Sequence, residues 1–337
     1  MILIDAVFIN NGGGKVLLDY LLLSLNQAKI DYYCLLDNRV IKNTYGLDSS
    51  RVSYIKGSLL KRHFFYLRNR NRFSRVFCFG NLPPSITLSV EVITYFHQPM
   101  YLDIPSEYSL TERIKFHLKV FILNGIKKNN DLWLVQSDLI KMKMELKFNL
   151  KSGSVRVLPF YPQFDNSDDF VSRHSNTFLY VSNANPHKNH LRLISAFCRF
   201  YDRYGLGKLI LTVSNEFTEV IELIESSNLK GYPIENVGFV DRLTLRRQYL
   251  SSEFLIFPSM TESFGLGLIE AIECGCKVVS SDLPYTYEIC EPTLSFNPLV
   301  EQSMYLAFVK CLDKDNLKPS TPKIKNNINS LIALLKS

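Results

Sequence analysis

Short apolar runs alternate with longer segments of helical pattern along most of the chain, and this alternation limits the possible folds more than any other feature. The strand-like runs of the first half include "MILIDAVFI", "DYYCLLD", "VFCFG", "VITYFHQ" and "DLWLVQS", and a helical segment, "KVLLDYLLLSLNQA", separates the first two. A second series contains "TFLYVSN", "KLILTVS", "NVGFV", "FLIFPS" and "KVVSSD". Strand–helix repeats of this kind predict mostly parallel sheets that are covered by helices.

The chain is long enough for two domains. It has 337 residues, and domains typically contain roughly 100–200 residues. The alternation is interrupted over 160–176 by a polar stretch that contains Pro162, which is the best candidate for a linker. We therefore predict an α/β domain over 1–165, a second over 166–320, and a C-terminal helix over 321–337 that is a candidate to pack back across the domains.

The charge balance favours anionic partners. The formal net charge is +7, which suits phosphorylated ligands, an acidic membrane surface or nucleic acid. No uncharged apolar run reaches the ~18 residues that a membrane span requires. The first residues lack a basic start and contain Asp5, so they are typical of a strand rather than of a signal peptide. We expect a soluble protein that can lie on a membrane.

A basic and aromatic segment occupies residues 56–77. It carries seven Lys and Arg residues and no acid, with Phe64, Phe65, Tyr66 and Phe73 among them. Such a segment can bind anionic lipid, where each basic residue contributes roughly 1 kcal/mol and aromatic rings insert at the interface. The alternative is a solvated basic face of a helix. Residues 113–128 are of similar character. We expect no nucleic-acid partner, because no recognised binding motif accompanies the charge.

A glycine-rich turn follows the first strand. Its backbone N–H groups, particularly those of Gly13 and Gly14, can approach a phosphate or sugar at the start of a helix. It is not a P-loop, because no Ser or Thr follows Lys15, and Leu17 occupies the place of the third glycine of a dinucleotide fingerprint. A purely structural turn is the alternative explanation.

Two side chains stand at the ends of predicted strands. Lys188, in "YVSNANPHKNHLRLISAF", precedes a helix, where a cation can stabilise a diphosphate leaving group. His97, in "VITYFHQPMYL", is placed to contact a substrate or transfer a proton. A solvated lysine and a structural histidine are the alternatives. His187 and His190 have no Cys, Asp or Glu beside them, so we expect no metal site.

The segment "TESFGLGLIEAIECGC" places two glutamates around a turn. The first, Glu262, lies in the loop after the strand "FLIFPS", and Glu270 lies in the helix that follows. Small ligands bind at such strand-to-helix turns in α/β sheets. The alternative for Glu270 is that it only complements the helix dipole, which is worth roughly 0.3–1 kcal/mol.

These motifs together resemble the family 4 glycosyltransferases of the GT-B fold. Their hallmark is a Glu, seven residues and a second Glu with Phe-Gly between them, which here are Glu262, Phe264, Gly265 and Glu270. The stretch "YVSNANPHKN" resembles the family's donor-phosphate loop, with a lysine at the matching position. The resemblance is close over 177–290 and loose in the first half. It implies two Rossmann-like domains that face each other across a cleft.

The resemblance also assigns roles. Glu270 would accept hydrogen bonds from ribose hydroxyls, Glu262 would lie near the transferred sugar, and backbone N–H groups around Phe264, Gly265 and Leu266 would contact sugar and phosphate.

The chain departs from the family pattern shortly before the lysine, and also at 159–162, where "PFYP" replaces the usual "P-N-G". Most members carry an arginine shortly before the lysine, and this chain has Ser182 and Asn183 there. Stabilisation of the diphosphate would then depend on Lys188 and main-chain donors.

The implied activity is transfer of a sugar, with retention, from a UDP- or GDP-linked donor to an acceptor hydroxyl, without a metal or other cofactor. The acceptor would be a lipid-linked saccharide in lipopolysaccharide, O-antigen or capsule assembly, and the enzyme would be cytoplasmic or peripheral on the cytoplasmic face of the inner membrane. Two alternatives stay open: another GT-B activity, such as a sugar-nucleotide epimerase or a phosphorylase, and a non-catalytic subunit of the same fold. The failed dinucleotide fingerprint disfavours an NAD-dependent oxidoreductase.

Overall fold

The computed structural model describes residues 1–41, 45–164 and 171–337. The chain forms two compact units. Unit 1 comprises Met1–Ile104, Ser109–Pro162 and Lys325–Ser337, and unit 2 comprises Pro105–Tyr108 and Gln163–Ile324. The boundary predicted between residues 165 and 166 lies outside the described residues.

Unit 1 is built on a seven-stranded parallel sheet. Its strands are β1 (Ile2–Ala6), β2 (Tyr32–Asp37), β3 (Val52–Ile55), β4 (Arg75–Cys78), β5 (Glu91–Tyr95), β6 (Leu132–Val135) and β7 (Val155–Val157). Their order in the sheet is β3-β2-β1-β4-β5-β6-β7, and each adjacent pair is parallel. The direction of the crossovers therefore reverses between β1 and β4.

The helices of unit 1 cover both faces of this sheet. They are α1 (Gly12–Gln27), α2 (Leu59–Arg68), α3 (Leu110–Ile126), α4 (Asp138–Phe148) and a C-terminal helix (Ile328–Lys336). Because crossovers are right-handed, α2 and α3, which both connect strands in the β3-to-β7 direction, lie on the same face. A capping box between Ser109 and Glu112 fixes the start of α3. Within the described parts of the chain, no helix is both long and apolar enough to cross a membrane.

The structure corrects part of the interpretation of segment 56–77 as a lipid-binding segment, because three of its basic and aromatic side chains face the interior. Arg62 and Tyr66, one helical turn apart on α2, are buried and both hydrogen-bond the carboxylate of Asp5, at 2.6 and 2.5 Å. Phe73 is also buried, in the core beneath α2. Arg62 and Tyr66 belong to the interior, because the buried Asp5 carboxylate requires partners that carry charge or donate hydrogen bonds. The outward side of α2 remains available to a partner.

Unit 2 is built on a second parallel sheet. Its strands are β8 (His174–Tyr180), β9 (Lys208–Leu211), β10 (Ile234–Asn236), β11 (Ser252–Phe257), β12 (Lys277–Ser281) and β14 (Leu294–Phe296), and β13 (Cys290–Glu291) pairs separately with β15 (Thr321–Pro322). The sheet order is β10-β9-β8-β11-β12-β14. The crossover direction therefore reverses between β8 and β11.

The helices of unit 2 are α5 (His190–Tyr204), α6 (Thr218–Leu229), α7 (Arg242–Ser251), α8 (Leu266–Glu273), α9 (Pro284–Ile289) and α10 (Glu301–Lys310). An aromatic cluster anchors α5 and α10 to the sheet: Phe178 of β8 stacks on Phe254 of β11 and meets Phe308 of α10 edge to face. Aromatic pairs of this geometry contribute about 0.5–1.5 kcal/mol beyond their burial. The cluster holds β8 and β11 rigidly side by side.

Candidate functional site

The candidate site of unit 2 lies at the carboxyl ends of β8 and β11. In an open parallel sheet, ligands bind where the crossover direction reverses, because the loops that follow the two strands diverge there and leave a crevice. The loop after β8 carries Lys188, and the loop after β11 carries Glu262. The sheet order thus places both predicted catalytic residues of unit 2 at the one point where such a crevice forms.

Lys188 and Glu262 contact each other directly. Lys188 ends a short turn over Pro186–Lys188, Asn189 adopts a left-handed conformation, and α5 begins at His190. The ammonium group of Lys188 forms an ion pair with the Glu262 carboxylate, and both side chains are largely but not fully buried. Without a ligand, the predicted phosphate-binding cation is therefore neutralised by the predicted sugar-binding carboxylate.

Backbone contacts fix the two loops against each other. Met260 N–H donates to the carbonyl oxygen of His187 at 2.8 Å. The side-chain amide of Asn189 donates to the carbonyl oxygen of Pro258 at 3.3 Å. Because these hydrogen bonds tie the two loops together, the Lys188 and Glu262 side chains are held in a defined position relative to each other.

The two histidines beside Lys188 are neutral. Burial, and then the positive charge of Lys188, lower the pKa of His187 and of His190 to about 3. The Tyr108 hydroxyl and Nδ1 of His187 are hydrogen-bonded at 2.7 Å, and their rings stack. Tyr108 was not predicted from the sequence, because it lies 79 positions from His187. Lys188 is thus the charged group of this loop at neutral pH.

The segment after Glu262 leads into α8. Gly265 has a φ of +68°, and a Cβ atom there would lie 3.0 Å from Leu268 Cδ1, so the position requires glycine. Leu266 is the first residue of α8, and the first N–H groups of a helix have no acceptor within the helix. The Phe264 side chain is buried and anchors the turn. This arrangement fits the predicted main-chain contacts to sugar and phosphate.

Glu270 lies in the middle of α8, where its side chain is buried. Its carboxylate accepts hydrogen bonds from Arg242 at 2.7 Å and from the Tyr249 hydroxyl at 3.2 Å. Burial raises the pKa of Glu270, and the charge and hydrogen bond of Arg242 act against that rise. Sequence reasoning missed both partners, which belong to α7 and lie 28 and 21 positions away. They fall inside the run that carries the family resemblance, but no local pattern pairs them with Glu270.

The predicted residues of unit 1 lie near one another. The glycines form the first turn of α1 rather than a loop before it, since α1 begins at Gly12. A Cβ atom on Gly14 would lie 3.1 Å from Cε1 of His97, whereas Gly13 faces open space. His97 follows β5, its Nε2 is hydrogen-bonded to the Phe79 carbonyl at 2.9 Å, and burial lowers its pKa. The glycines and the imidazole therefore form one group at the carboxyl end of this sheet.

Metal ligands are not clustered in the part of the chain that the structure describes: no group of three or more His, Cys, Asp or Glu side chains is placed to hold an ion.

Comparison with known proteins finds a family match for part of the chain. Residues 165–294, less than half of the chain, match the family described as "Glycosyl transferases group 1", and this match supports the glycosyltransferase resemblance of that region. Among curated proteins, the chain is 26% identical over 224 residues to the O-antigen chain mannosyltransferase RfbU of Salmonella typhimurium. That match covers 64% of this chain and 58% of the relative.

Solved structures extend the likeness to the fold of nearly the whole chain. The sucrose-phosphate synthase of Thermosynechococcus elongatus matches with a TM-score of 0.73 and 16% identity, over 99% of this chain and 94% of that one. Anabaena HepE, solved in complex with UDP-glucose, matches with a TM-score of 0.68 and 14% identity, over 99% of this chain and 94% of that one. The prediction of two Rossmann-like α/β domains of the GT-B type is confirmed.

Proposed function

We propose that this chain is a glycosyltransferase that transfers a sugar from a nucleotide-sugar donor to an acceptor hydroxyl, with retention of the anomeric configuration, as in family 4. The observation that carries the proposal is the contact between Lys188 and Glu262 at the point where β8 and β11 diverge. A second, buried carboxylate, Glu270, supplies hydrogen-bond acceptors in the same unit. In this proposal Lys188 binds the phosphate of the donor, Glu262 binds its sugar and Glu270 binds its ribose.

Each group has a role in the proposed reaction. The bond between the anomeric carbon and the diphosphate oxygen breaks, the acceptor oxygen bonds to that carbon, and the acceptor proton leaves with the diphosphate or to solvent. Lys188 stabilises the negative charge that develops on the diphosphate, and Glu262 accepts hydrogen bonds from the transferred sugar. In unit 1, His97 contacts the acceptor, and the N–H groups of Gly13 and Gly14 contact donor or acceptor oxygens.

The donor and acceptor are assigned by class. We propose a UDP- or GDP-linked donor, which the UDP-glucose complex of the structurally similar HepE supports, and no metal cofactor. The name of RfbU, an O-antigen chain mannosyltransferase, supports an acceptor that is a lipid-linked saccharide in O-antigen, lipopolysaccharide or capsule assembly.

Two substitutions at the glutamates test the proposal. Glu270→Ala should weaken binding of UDP-glucose or GDP-mannose about tenfold or more, because buried acceptors for the ribose are lost. Glu262→Gln should leave binding nearly unchanged and lower turnover, because it alters the contact to the transferred sugar. Calorimetric binding and the rate of product formation measure the two effects. Wild-type behaviour in both variants would contradict the assignment, and donor hydrolysis without transfer would favour an epimerase-type activity.

An enzyme that acts on a lipid-linked acceptor needs a surface that can dock on a membrane. The candidate for such a surface in unit 1 is the face formed by α2 and α3. We name it the α2–α3 face. Leu110, Ile114, Leu118 and Phe121 form a stripe along α3, and they are 58–75% exposed. Leu60, Phe64 and Leu67 form a similar stripe along α2. Helix residues spaced three and four apart lie on one side, so each helix presents an apolar line to solvent.

Basic residues flank both apolar stripes. On α2 they are Lys61 and Arg68, and on α3 they are Arg113, Lys115 and Lys119, all of them exposed. Exposed apolar side chains bordered by basic ones are the combination that anionic lipid surfaces bind, because apolar insertion and electrostatic attraction act together. We propose that the α2–α3 face docks on anionic lipid. This docking surface includes the outward part of segment 56–77, and α3 is added to it.

Co-sedimentation with vesicles tests this docking. The wild type should sediment with vesicles of phosphatidylglycerol and phosphatidylcholine, remain in the supernatant with phosphatidylcholine alone, and be released as salt rises, because surface charge is screened over roughly 8 Å at physiological salt. Arg113→Gln/Lys115→Gln/Lys119→Gln should lose most of the binding. The control Lys208→Gln/Lys230→Gln removes exposed charge from unit 2 and should bind like the wild type. If the wild-type protein stayed in the supernatant with both kinds of vesicle, the proposal would be contradicted.

A further inference from the structure

Arg242 is held against Glu270 by contacts on several sides. It is the first residue of α7, whose start is fixed by the Asp241 side chain accepting from Thr244 N–H at 2.9 Å. Its Nη1 donates to Glu270 Oε1 at 2.7 Å, and its guanidinium carbon lies 4.2 Å above the ring centre of Phe164. The cap, the ion pair and the aromatic ring together give this guanidinium a defined place beside the carboxylate.

The surroundings of the Glu270 carboxylate act on its pKa in opposite directions. The Glu270 side chain is 5% exposed, whereas that of Arg242 is 34% exposed. Burial raises the pKa of Glu270, the nearby Glu273 carboxylate adds to the rise, and Arg242 and the hydroxyl of Tyr249 oppose it. The Cys274 thiol, at the end of α8, also interacts with Glu270 and has a pKa raised to about 12, so it is uncharged. Arg242 is the positive charge that is hydrogen-bonded to this carboxylate.

The hydrogen bonds leave part of the carboxylate available. An ionised carboxylate offers about four acceptor positions, and Arg242 and Tyr249 occupy one on each oxygen. The remaining positions suffice for two hydroxyl groups of a nucleotide ribose. A protonated carboxyl would lose acceptor capacity, since one oxygen would then carry a proton and act as a donor.

We infer that Arg242 is a positioning residue of the donor site: it keeps the Glu270 carboxylate ionised and oriented so that its free positions accept the sugar hydroxyls of a nucleotide. The inference rests on the proposed function and adds to it a residue outside the motif that the resemblance identifies. Phe164 supports the role, because its ring packs against the guanidinium.

The test measures the affinity of UDP-glucose and GDP-mannose by calorimetry across pH. In Arg242→Gln, Glu270 loses its charged partner, so its pKa should rise further and the carboxyl should become protonated as the pH is lowered. The affinity should therefore be reduced about tenfold at the acidic end of the pH range and should recover toward the wild-type value as the pH rises. The diphosphates of these probes do not titrate in this range. The affinity of the wild type is therefore expected to be independent of pH.

Three further variants separate positioning from simple structural support. Arg247→Gln removes an exposed charge from the same helix and should behave like the wild type. Arg242→Lys keeps the charge and should show an affinity that is independent of pH, with a smaller loss than in the glutamine variant. Arg242→Gln/Glu270→Gln removes the titrating group, so its affinity should be low and independent of pH.

The outcomes distinguish the inference from the proposed function. If the wild type binds neither nucleotide sugar, the proposed function fails and the inference fails with it. If the wild type binds but Arg242→Gln shows the same affinity and a flat profile, only the role of Arg242 is refuted. An Arg242→Lys variant that acquires the pH dependence would also refute it, because the charge of the side chain would then not be what matters.

Discussion

Transfer by a Lys188→Ala variant is expected to fall about 10²–10³-fold, since removal of one preorganised group that stabilises a developing negative charge typically costs this much. Lys188 lies two residues before α5, and burial lowers the pKa of the two histidines beside it to about 3. The diphosphate would therefore lose the positive charge of this loop as the sugar departs. Glu262, left without its ion-pair partner, would in addition repel the donor.

The rate of product formation at saturating donor measures this loss. Lys188→Arg keeps the charge and should retain much more activity than the alanine variant. Lys230→Ala removes an exposed lysine of the same unit and should leave the rate unchanged. A wild-type rate in Lys188→Ala would show that the leaving group is stabilised elsewhere. EDTA should not affect the wild type, and a strict requirement for Mg²⁺ or Mn²⁺ would contradict the metal-free proposal.

Arg62→Met is expected to lower the free energy of unfolding of the protein by about 3–5 kcal/mol, the usual cost of leaving one member of a buried ion pair alone. Arg62 donates to Asp5 and also to the carbonyl oxygens of Leu82 and Pro83, at 2.7 and 2.9 Å. The substitution would leave a buried carboxylate with only Tyr66 as a side-chain donor, and two carbonyl groups without this partner.

Denaturant unfolding followed by circular dichroism measures the effect. Arg68→Met, on the exposed side of the same helix, should change the free energy of unfolding by no more than about 0.5 kcal/mol. Asp5→Asn/Arg62→Met removes the uncompensated charge and should be more stable than Arg62→Met alone. If Arg62→Met unfolded at the wild-type denaturant concentration, the pair would not be the structural element that its burial indicates.

The local pattern of the sequence was sufficient to predict the fold class. Fully buried parallel strands appear as continuous apolar runs, and "DYYCLLD" and "FLIFPS" became β2 and β11 with almost every residue buried. The Glu-x₇-Glu motif and the lysine before a helix could also be recognised from the sequence, because each depends on residues close together in the chain. From these features the sequence predicts a donor-type site in the second unit.

The burial of segment 56–77 could not be predicted in the same way. Its composition is that of a membrane-binding surface, but the partner that draws Arg62 into the interior is Asp5, 57 positions away on β1. A basic side chain is stable inside only where a distant strand supplies a carboxylate. The composition of the segment therefore agrees with the basic and apolar outward side of α2. It did not indicate that the inward side of the helix is buried.

The sequence by itself determined the elements of this protein, since strand and helix formation depends on local periodicity, and it determined the residue types of the site. The tertiary structure decided which of them meet. The contact of Lys188 with Glu262 follows from the adjacency of β8 and β11, and the hydrogen bond of Arg242 to Glu270 follows from the packing of α7 beside α8. The physical reason is that strand order and helix packing depend on non-local contacts across the whole domain, which no short stretch of sequence encodes.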